Sequence, residues 1–367
     1  MKKKNACIAN LEGVLSVFVV LIHAASTNIN VPGRELQSIN GLNYSKFIQA
    51  FLSNGLCRTA VPLFFILSGF LYYKSFDGTW EQYKRKTFSR IRSLVIPYIF
   101  WSGIVFVSFK LAQQIPLLKN YFTTRNSADL SLSNTLYYVL IESYNSPLWY
   151  MKYLIVLSLL SIGLYTFFKR IPVIILLILF GGWFFNFIGA PISIPVRADA
   201  LFFYSFGAIA GTYWSILWHY IEKILSYNHK LYLLIAYMTL LAIHSYRYCT
   251  IPNSYILEGY TDGFLDIVGK IGIVIGIFTI CGLFYEFRDM AEWPWVKYSF
   301  LIFVMHHPIV NALKKILVVA FGGKMTPAFS LLVYLLSATI TIFFILGFGE
   351  VVRAKAPRFY KMVCGGR

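Results

Sequence analysis

Charge is scarce in this chain, and negative charge most of all. Of 367 residues only 13% are Asp, Glu, Lys or Arg, and 15 carboxylates stand against 33 basic groups. A soluble globular protein carries about 25% charged residues, so composition alone argues against a water-soluble domain. Cysteine is also sparse. Cys7, Cys57, Cys249, Cys281 and Cys364 form no CxxC and no paired spacing, so neither a disulfide framework nor a metal centre is expected. No internal repeat and no low-complexity segment is present. What the chain has instead is apolar mass: 58% hydrophobic and 18% aromatic residues, with a mean hydropathy of +0.64. That composition defines an integral membrane protein whose aromatics suit a lipid-facing surface. The net charge of +18 does not point to nucleic acid, because the basic residues lie mainly between apolar runs.

Runs of about 20 apolar residues predict an all-α, polytopic protein of about ten transmembrane helices. They fall near 9–27, 60–74, 93–113, 148–168, 171–190, 199–218, 231–248, 264–285, 298–320 and 327–350. The second is short, but "FIQAFLSNGLC" ahead of it extends it. Pro116, Pro172, Pro191, Pro195, Pro252, Pro294 and Pro327 fall at or near span ends. The run "SLSNTLYYVLIESY" in the longest connection reads as an amphipathic helix lying on the membrane surface. Counting basic residues by side places 20 of 33 with the N-terminus and 12 opposite, which puts both termini in the cytoplasm. The basic "MKKKNA" before the first span is read as the start of a retained helix rather than a cleaved signal. Residues 1–367 read as one membrane domain with no appended soluble one.

The first run, "NLEGVLSVFVVLIHAAS" from Asn10 to Ser26, is membrane-grade yet holds Glu12 and His23. Eleven residues make about three turns and about 16 Å, so both lie on one face, with Ser16 and Val19 between them. Ionisable groups inside a bilayer are costly and by default mark a function. Neutral imidazole suits proton transfer near pH 7; the plainer reading of His23 is a histidine bonded to a neighbouring helix. Glu12, beside three lysines, reads as a cytoplasmic anchor when taken alone.

Arg58 opens the second span from the outside, where an anion or an acceptor could reach it; an outward-snorkelling side chain is the plainer reading. Ser68-Gly69 reads as a packing device. Lys84, Arg85, Lys86, Arg90 and Arg92 face the cytoplasm, where they could grip phosphates or simply satisfy topology and anionic lipid. Asp266 and Lys270 read as a local ion pair. Arg197, Asp199 and Asp262 share the outer surface and could meet sugar hydroxyls. His219, His229 and His244 are assigned nothing. His306 and His307 point about 100° apart and are not expected to act together.

Taken in order, several segments resemble the acyltransferase family 3 of integral membrane enzymes, which includes O-acetyltransferases of bacterial surface polysaccharides. The frame "LEG…VVLIH" is similar to the family's opening, in which an Arg precedes a His by eleven positions. "RTAVPLFFILSGFL", "RIRSLVIPYIFW", "PLWYMKYLIVL" and "FLIFVMHHPIV" resemble four further family segments, the last matching His306. Here Glu12 stands where the family has Arg, reversing a charge that the resemblance associates with acyl-CoA handling or activity.

The resemblance implies transfer of an acyl group, acetyl by preference, from cytoplasmic acetyl-CoA to a hydroxyl of an extracytoplasmic polysaccharide or its lipid-linked precursor. It implies a multi-pass protein of the bacterial plasma membrane with no tightly bound cofactor. His23 and Glu12 are the expected catalytic pair, His23 as general base. Lys84, Arg85, Arg90 and Arg92 are expected to hold acyl-CoA. Arg58, Ser68, Trp149, Tyr150 and His306 are expected as acceptor or oxyanion contacts. The rival readings are a non-catalytic exporter or flippase using the same cavity, and a sensor module.

Overall fold

The structure, a computed structural model, describes residues 2–32, 37–122, 130–185, 196–226, 230–251, 262–321 and 324–366. Residues 186–190 of the fifth expected span, His229, and Pro191, Pro195 and Pro252 lie outside them. Apart from one antiparallel pair, Asn28–Ile29 against Gln37–Ser38, the described chain is helical. Leaving aside the single turn Pro116–Lys119, the helices in order are α1 (Lys2–Ala24), α2 (Tyr44–Tyr73), α3 (Trp80–Gln114), α4 (Leu132–Leu140), α5 (Ser146–Leu159), α6 (Ser161–Arg170) and α7 (Pro172–Phe184). There follow α8 (Ala198–Thr212), α9 (Trp214–Ser226), α10 (Lys230–Thr250), α11 (Gly263–Glu286), α12 (Val296–Phe321), α13 (Pro327–Lys355) and α14 (Pro357–Val363).

Six of these are long and apolar enough to cross a bilayer: Ala6–Ala24 of α1, and α2, α3, α11, α12 and α13. The pair α5–α6, bent by 70°, makes a seventh if it counts as one span. Where they are described, the ten expected runs are therefore largely helical; those between 148 and 218 are bent, short or divided, while α10 is one unbroken helix of 21 residues that is not among the six. At the bend the carbonyls left by the break find donors: the Ser161 hydroxyl donates to the Ser158 carbonyl at 2.7 Å and Tyr83 to the Leu159 carbonyl at 2.9 Å. Tyr72 and Tyr73 of α2 hold Ser161 itself, at its hydroxyl and its carbonyl. This chain is a multi-pass membrane protein, and the exposed Val173, Ile174 and Leu177 of α7 and Phe343 and Phe344 of α13 suit a lipid surround.

Two spans carry irregular turns. In α2 a π-helical turn, Ala50–Gly55, and a 3-10 turn, Leu56–Thr59, precede Pro62. In α3 a π-helical turn, Ile91–Val95, precedes Pro97. Proline supplies no N–H and crowds the carbonyl four residues back, so each ladder must re-register before it. The carbonyl that Pro97 leaves is that of Ser93. The chain end comes back to it: at Gly365, whose φ is +69°, a Cβ would lie 2.5 Å from the Ser93 oxygen.

The segment expected to lie on the membrane surface forms α4, capped by Ser131 and with none of its residues buried. Asp266 and Lys270 pair as expected, at 2.7 Å, and Lys270 also caps α7 through the Phe184 carbonyl. The outer carboxylates bind protein groups: Asp199 pairs with Arg197, and Asp262 pairs with Arg247 while capping α11 at the Leu265 N–H. The Leu265 N–H, and Arg247 after it, hold the Asp262 carboxyl below the usual carboxylate range.

α2 and α8 cross with their backbones touching. A Cβ on Gly69 would strike the Tyr204 carbonyl, one on Gly207 the Ile66 carbonyl, and one on Gly211 would sit 2.6 Å from the Phe70 oxygen. Small residues permit this approach where hydrophobic burial offers no drive between helices. Gly207→Val should therefore cost at least about 1–3 kcal/mol in overpacking, and Gly163→Val, which meets nothing within 4 Å, much less. Melting temperatures in one detergent check this; equal losses would contradict the close crossing.

Candidate active site

The site is organised around α1, which is fastened at both ends. At its N-terminal half, buried Asn10 bonds the connection before α12: its amide donates to the Ala291 carbonyl at 3.0 Å and its oxygen accepts from the Trp293 N–H at 2.9 Å. Gly13 leaves no room for a side chain against Val296 and Trp295.

The C-terminal end presents carbonyls that no further turn can satisfy, and other helices take them. Ser53, within the π-helical turn of α2, donates to the Leu21 carbonyl at 2.8 Å. Lys314 of α12 donates to the carbonyls of His23 at 2.7 Å and Ala25 at 3.2 Å. Just beyond, Ser26 and Ser330 exchange hydroxyl-to-carbonyl bonds at 2.8 and 2.9 Å, and Gln49 accepts from the Ser26 N–H at 2.8 Å. Ser26, Gln49 and Ser330 are all buried. A cation on helix-terminal carbonyls also complements the helix dipole.

This clamping sets the His23 ring between two others. Its centroid is 5.2 Å from that of His306 and 4.9 Å from that of His307. His306 and His307, expected not to act together because they diverge on their own helix, both flank the one ring of His23. His307, Asn311 and Lys314 follow at i, i+4 and i+7 on one face of α12, and Asn311 lies 3.1 Å from His307 Nε2. Among the described residues no group of His, Cys, Asp and Glu could hold a metal ion.

Toward the N-terminal half of α1 opens a small cleft, with about 60 Å³ of room for water-sized molecules. Glu12, Ser16, Ser68, Arg90, Tyr150 and Phe303 are among its lining. Phe303 joins the two halves of the site, at 5.6 Å from the Tyr150 ring and 6.4 Å from that of His306. Glu12, Ser68, Arg90 and Tyr150, all expected from sequence, thus meet in one cavity.

The remaining expected residues divide. Of the basic cluster only Arg90 lines the cleft, its guanidinium 5.4 Å above the Tyr72 ring. Arg92 lies over Phe88 and Lys84 over Trp80, and Lys84, Arg85 and Arg92 are exposed. The turn of α3 that begins at Ile91 comes directly after Arg90. Ser68 sits 2.9 Å from the Tyr150 hydroxyl, which donates to the Phe64 carbonyl at 3.1 Å. Ser68 must then donate to Tyr150, leaving lone pairs for the cleft and no proton for an oxyanion. Trp149 carries the Arg197 guanidinium at 4.9 Å, at the α5 start. Arg58 is exposed and reaches Asn54 at 3.4 Å, outside the cleft lining.

Asn10, Ser53 and Lys314 were not singled out in the sequence. A lysine amid the apolar run of α12 was the one available signal, since a buried cation needs acceptors.

An all-α membrane protein with a clamped histidine group above a polar cleft is the class that fold and site define. The sequence profile of the family described as "Acyltransferase domain" matches residues 5–348, and the chain belongs to that family. It is also similar to the succinoglycan biosynthesis protein ExoH of Rhizobium meliloti (strain 1021), at 26% identity over 209 residues. That match spans 55% of this chain and 54% of the relative, so about half of each. No solved structure matches.

Removing the clamp tests its weight. Lys314→Met deletes charge-assisted bonds to two carbonyls and should lower stability by about 1.5–3 kcal/mol, with faster amide exchange at the α1 C-terminus. An unchanged melting temperature and unchanged exchange there would show that the end of α1 is held by Ser53 and Ser330 alone.

Proposed function

We propose that this protein is a membrane O-acyltransferase. In this reading it moves an acyl group, acetyl by preference, from acyl-CoA on the cytoplasmic side to a hydroxyl of an extracytoplasmic polysaccharide or its lipid-linked precursor, in a bacterial plasma membrane. The observation that carries the reading is the single stripe on α1 that joins the Glu12–Arg90 cleft to the histidine group. Membership of the acyltransferase family supports the reaction class, and the relative named for succinoglycan biosynthesis supports a glycan acceptor.

The chemistry follows from the residues. Arg90 offers a guanidinium to the phosphates of the donor. The extended thiol arm of CoA then runs along α1 toward His23, about 16 Å from Glu12 along the helix. His23 takes the proton of the acceptor hydroxyl as its oxygen bonds to the thioester carbonyl carbon. The tetrahedral intermediate collapses by breaking the C–S bond, and the imidazolium returns the proton to the leaving thiolate. Acyl ester and free CoA thiol are the products. Glu12 does not act on His23 directly: at about 16 Å their interaction is well under 1 kcal/mol at an effective dielectric of about 20. It shares the cleft with Arg90, and in this reading it sets the charge there.

His23→Ala should abolish acyl transfer to the glycan while the protein still inserts and folds. Acylation near the wild-type level would remove His23 from the mechanism. Consumption of acyl-CoA separates this reading from an exporter, which would move glycan without it.

Arg90→Ala should weaken acyl-CoA binding about tenfold, about 1.4 kcal/mol, and more at low salt than at high. Lys84→Ala and Arg92→Ala should change it less than about twofold. Equal losses at all three positions would return the donor site to the whole basic cluster.

A further inference from the structure

His306 is fully buried, and one of its ring nitrogens is spoken for. Nδ1 lies 3.1 Å from the Ile302 carbonyl and 2.8 Å from the Phe303 carbonyl. A carbonyl oxygen only accepts, so Nδ1 carries the proton and Nε2 of the neutral ring carries a lone pair. That Nε2 is buried and has no hydrogen-bond partner among the described residues. A buried acceptor without a donor is costly, and such exceptions concentrate where a ligand or a catalytic group completes the bond. The adjacent ring is His23, with 5.2 Å between centroids and a tilt of 44°.

We infer that His306 is the positioning partner of His23, accepting its ring N–H and so leaving the other His23 nitrogen bare toward the acceptor hydroxyl. This rests on the acyl-transfer reading above. A general base needs such a partner, because a neutral imidazole in the wrong tautomer offers a proton where a lone pair is required. Among the described residues no carboxylate hydrogen-bonds to any of the three rings; the charged side chains in electrostatic range of His23 are Lys314 and Arg58, both cations. The second flanking ring, His307, has its Nε2 engaged by Asn311 at 3.1 Å. Only His306 presents a free lone pair. In this inference His306, expected from sequence as an acceptor or oxyanion contact, serves instead through its lone pair, which would repel an oxyanion.

The proton count is simple. The acceptor hydroxyl proton passes to the bare His23 nitrogen while His306 holds the opposite N–H. As the C–S bond breaks, that proton moves from His23 to the thiolate. His306 neither gains nor loses a proton.

The test uses the full chain in nanodiscs, with His306→Leu, which removes the acceptor, and His306→Gln, whose side-chain carbonyl restores one. We expect His306→Leu to lose about 10²-fold or more in kcat, with KM for acyl-CoA and for glycan within about twofold. His306→Gln should recover at least about tenfold of that. In ¹⁵N-imidazole spectra, with His23 assigned through His23→Ala, wild-type His23 should hold one tautomer and His306→Leu a mixture. A His306→Leu enzyme within about threefold of wild-type kcat would overturn the inference. So would a loss confined to KM, or His306→Gln no better than His306→Leu. Should His306→Leu fail to fold, the wild-type spectrum decides: His306 protonated on Nε2 overturns the proposal. If wild type consumes no acyl-CoA, the reaction reading fails, while the spectra still test the hydrogen bond.

Discussion

The last turn of α1 ends inside the protein, and its carbonyls cannot turn to water. Lys314, Ser53 and Ser330 supply the missing donors from three other helices, at 2.7 to 3.2 Å. In hydrocarbon an unsatisfied backbone group costs several kcal/mol, so this closure decides where α1 stops and how it is rotated. Its rotation in turn sets His23 between His306 and His307. Nearer the N-terminus the side chain of Asn10 fixes α1 against the backbone of the connection before α12.

Because α1 is held at both ends, one stripe of it serves two chemistries. Near the N-terminus Glu12 and Ser16 meet Arg90, Ser68 and Tyr150 in a polar cleft, while His23 stands three turns away in the histidine group. The irregular turns of α2 and α3 contribute to the same arrangement. The π-helical turn ahead of Pro62 carries Ser53 to the end of α1, and the one ahead of Pro97 begins directly after Arg90. Single-turn π segments inside helices gather at functional sites, and here both adjoin residues of this site. The cleft also gives the charge at position 12 a setting. A carboxylate stands where the family resemblance implies a guanidinium, and the guanidinium of Arg90 lines the same space from α3.

Much of this was legible in the sequence, and the parts that were not share one reason. Apolar runs placed the helices, period 3.6 put Glu12 and His23 on one face, and the family segments pointed to Arg90, Ser68, Tyr150 and His306. Hydropathy does not register where a span bends, and the partners that hold Ser161 at the break, Tyr72 and Tyr73, are nearly ninety residues away. The clamps were silent for the same reason. Asn10, Lys314 and Ser330 each look like an isolated polar residue until a partner roughly three hundred positions away is alongside. The geometry of α12 alone separates His307 from His306, and only the packing of α1 shows that both rings flank His23. The basic cluster read as a unit, and the helix divides it: Arg90 turns to the cleft and its neighbours turn out.

The central claim is that donor and acceptor meet across this one clamped helix from opposite sides of the membrane. Sealed proteoliposomes with labelled acyl-CoA outside and glycan trapped inside test it most directly. The account predicts labelled acyl ester on the enclosed glycan, free CoA outside, and no label crossing when His23 is replaced by Ala. Transfer that occurs only when donor and glycan share one compartment, or label that enters equally with His23→Ala, would contradict it.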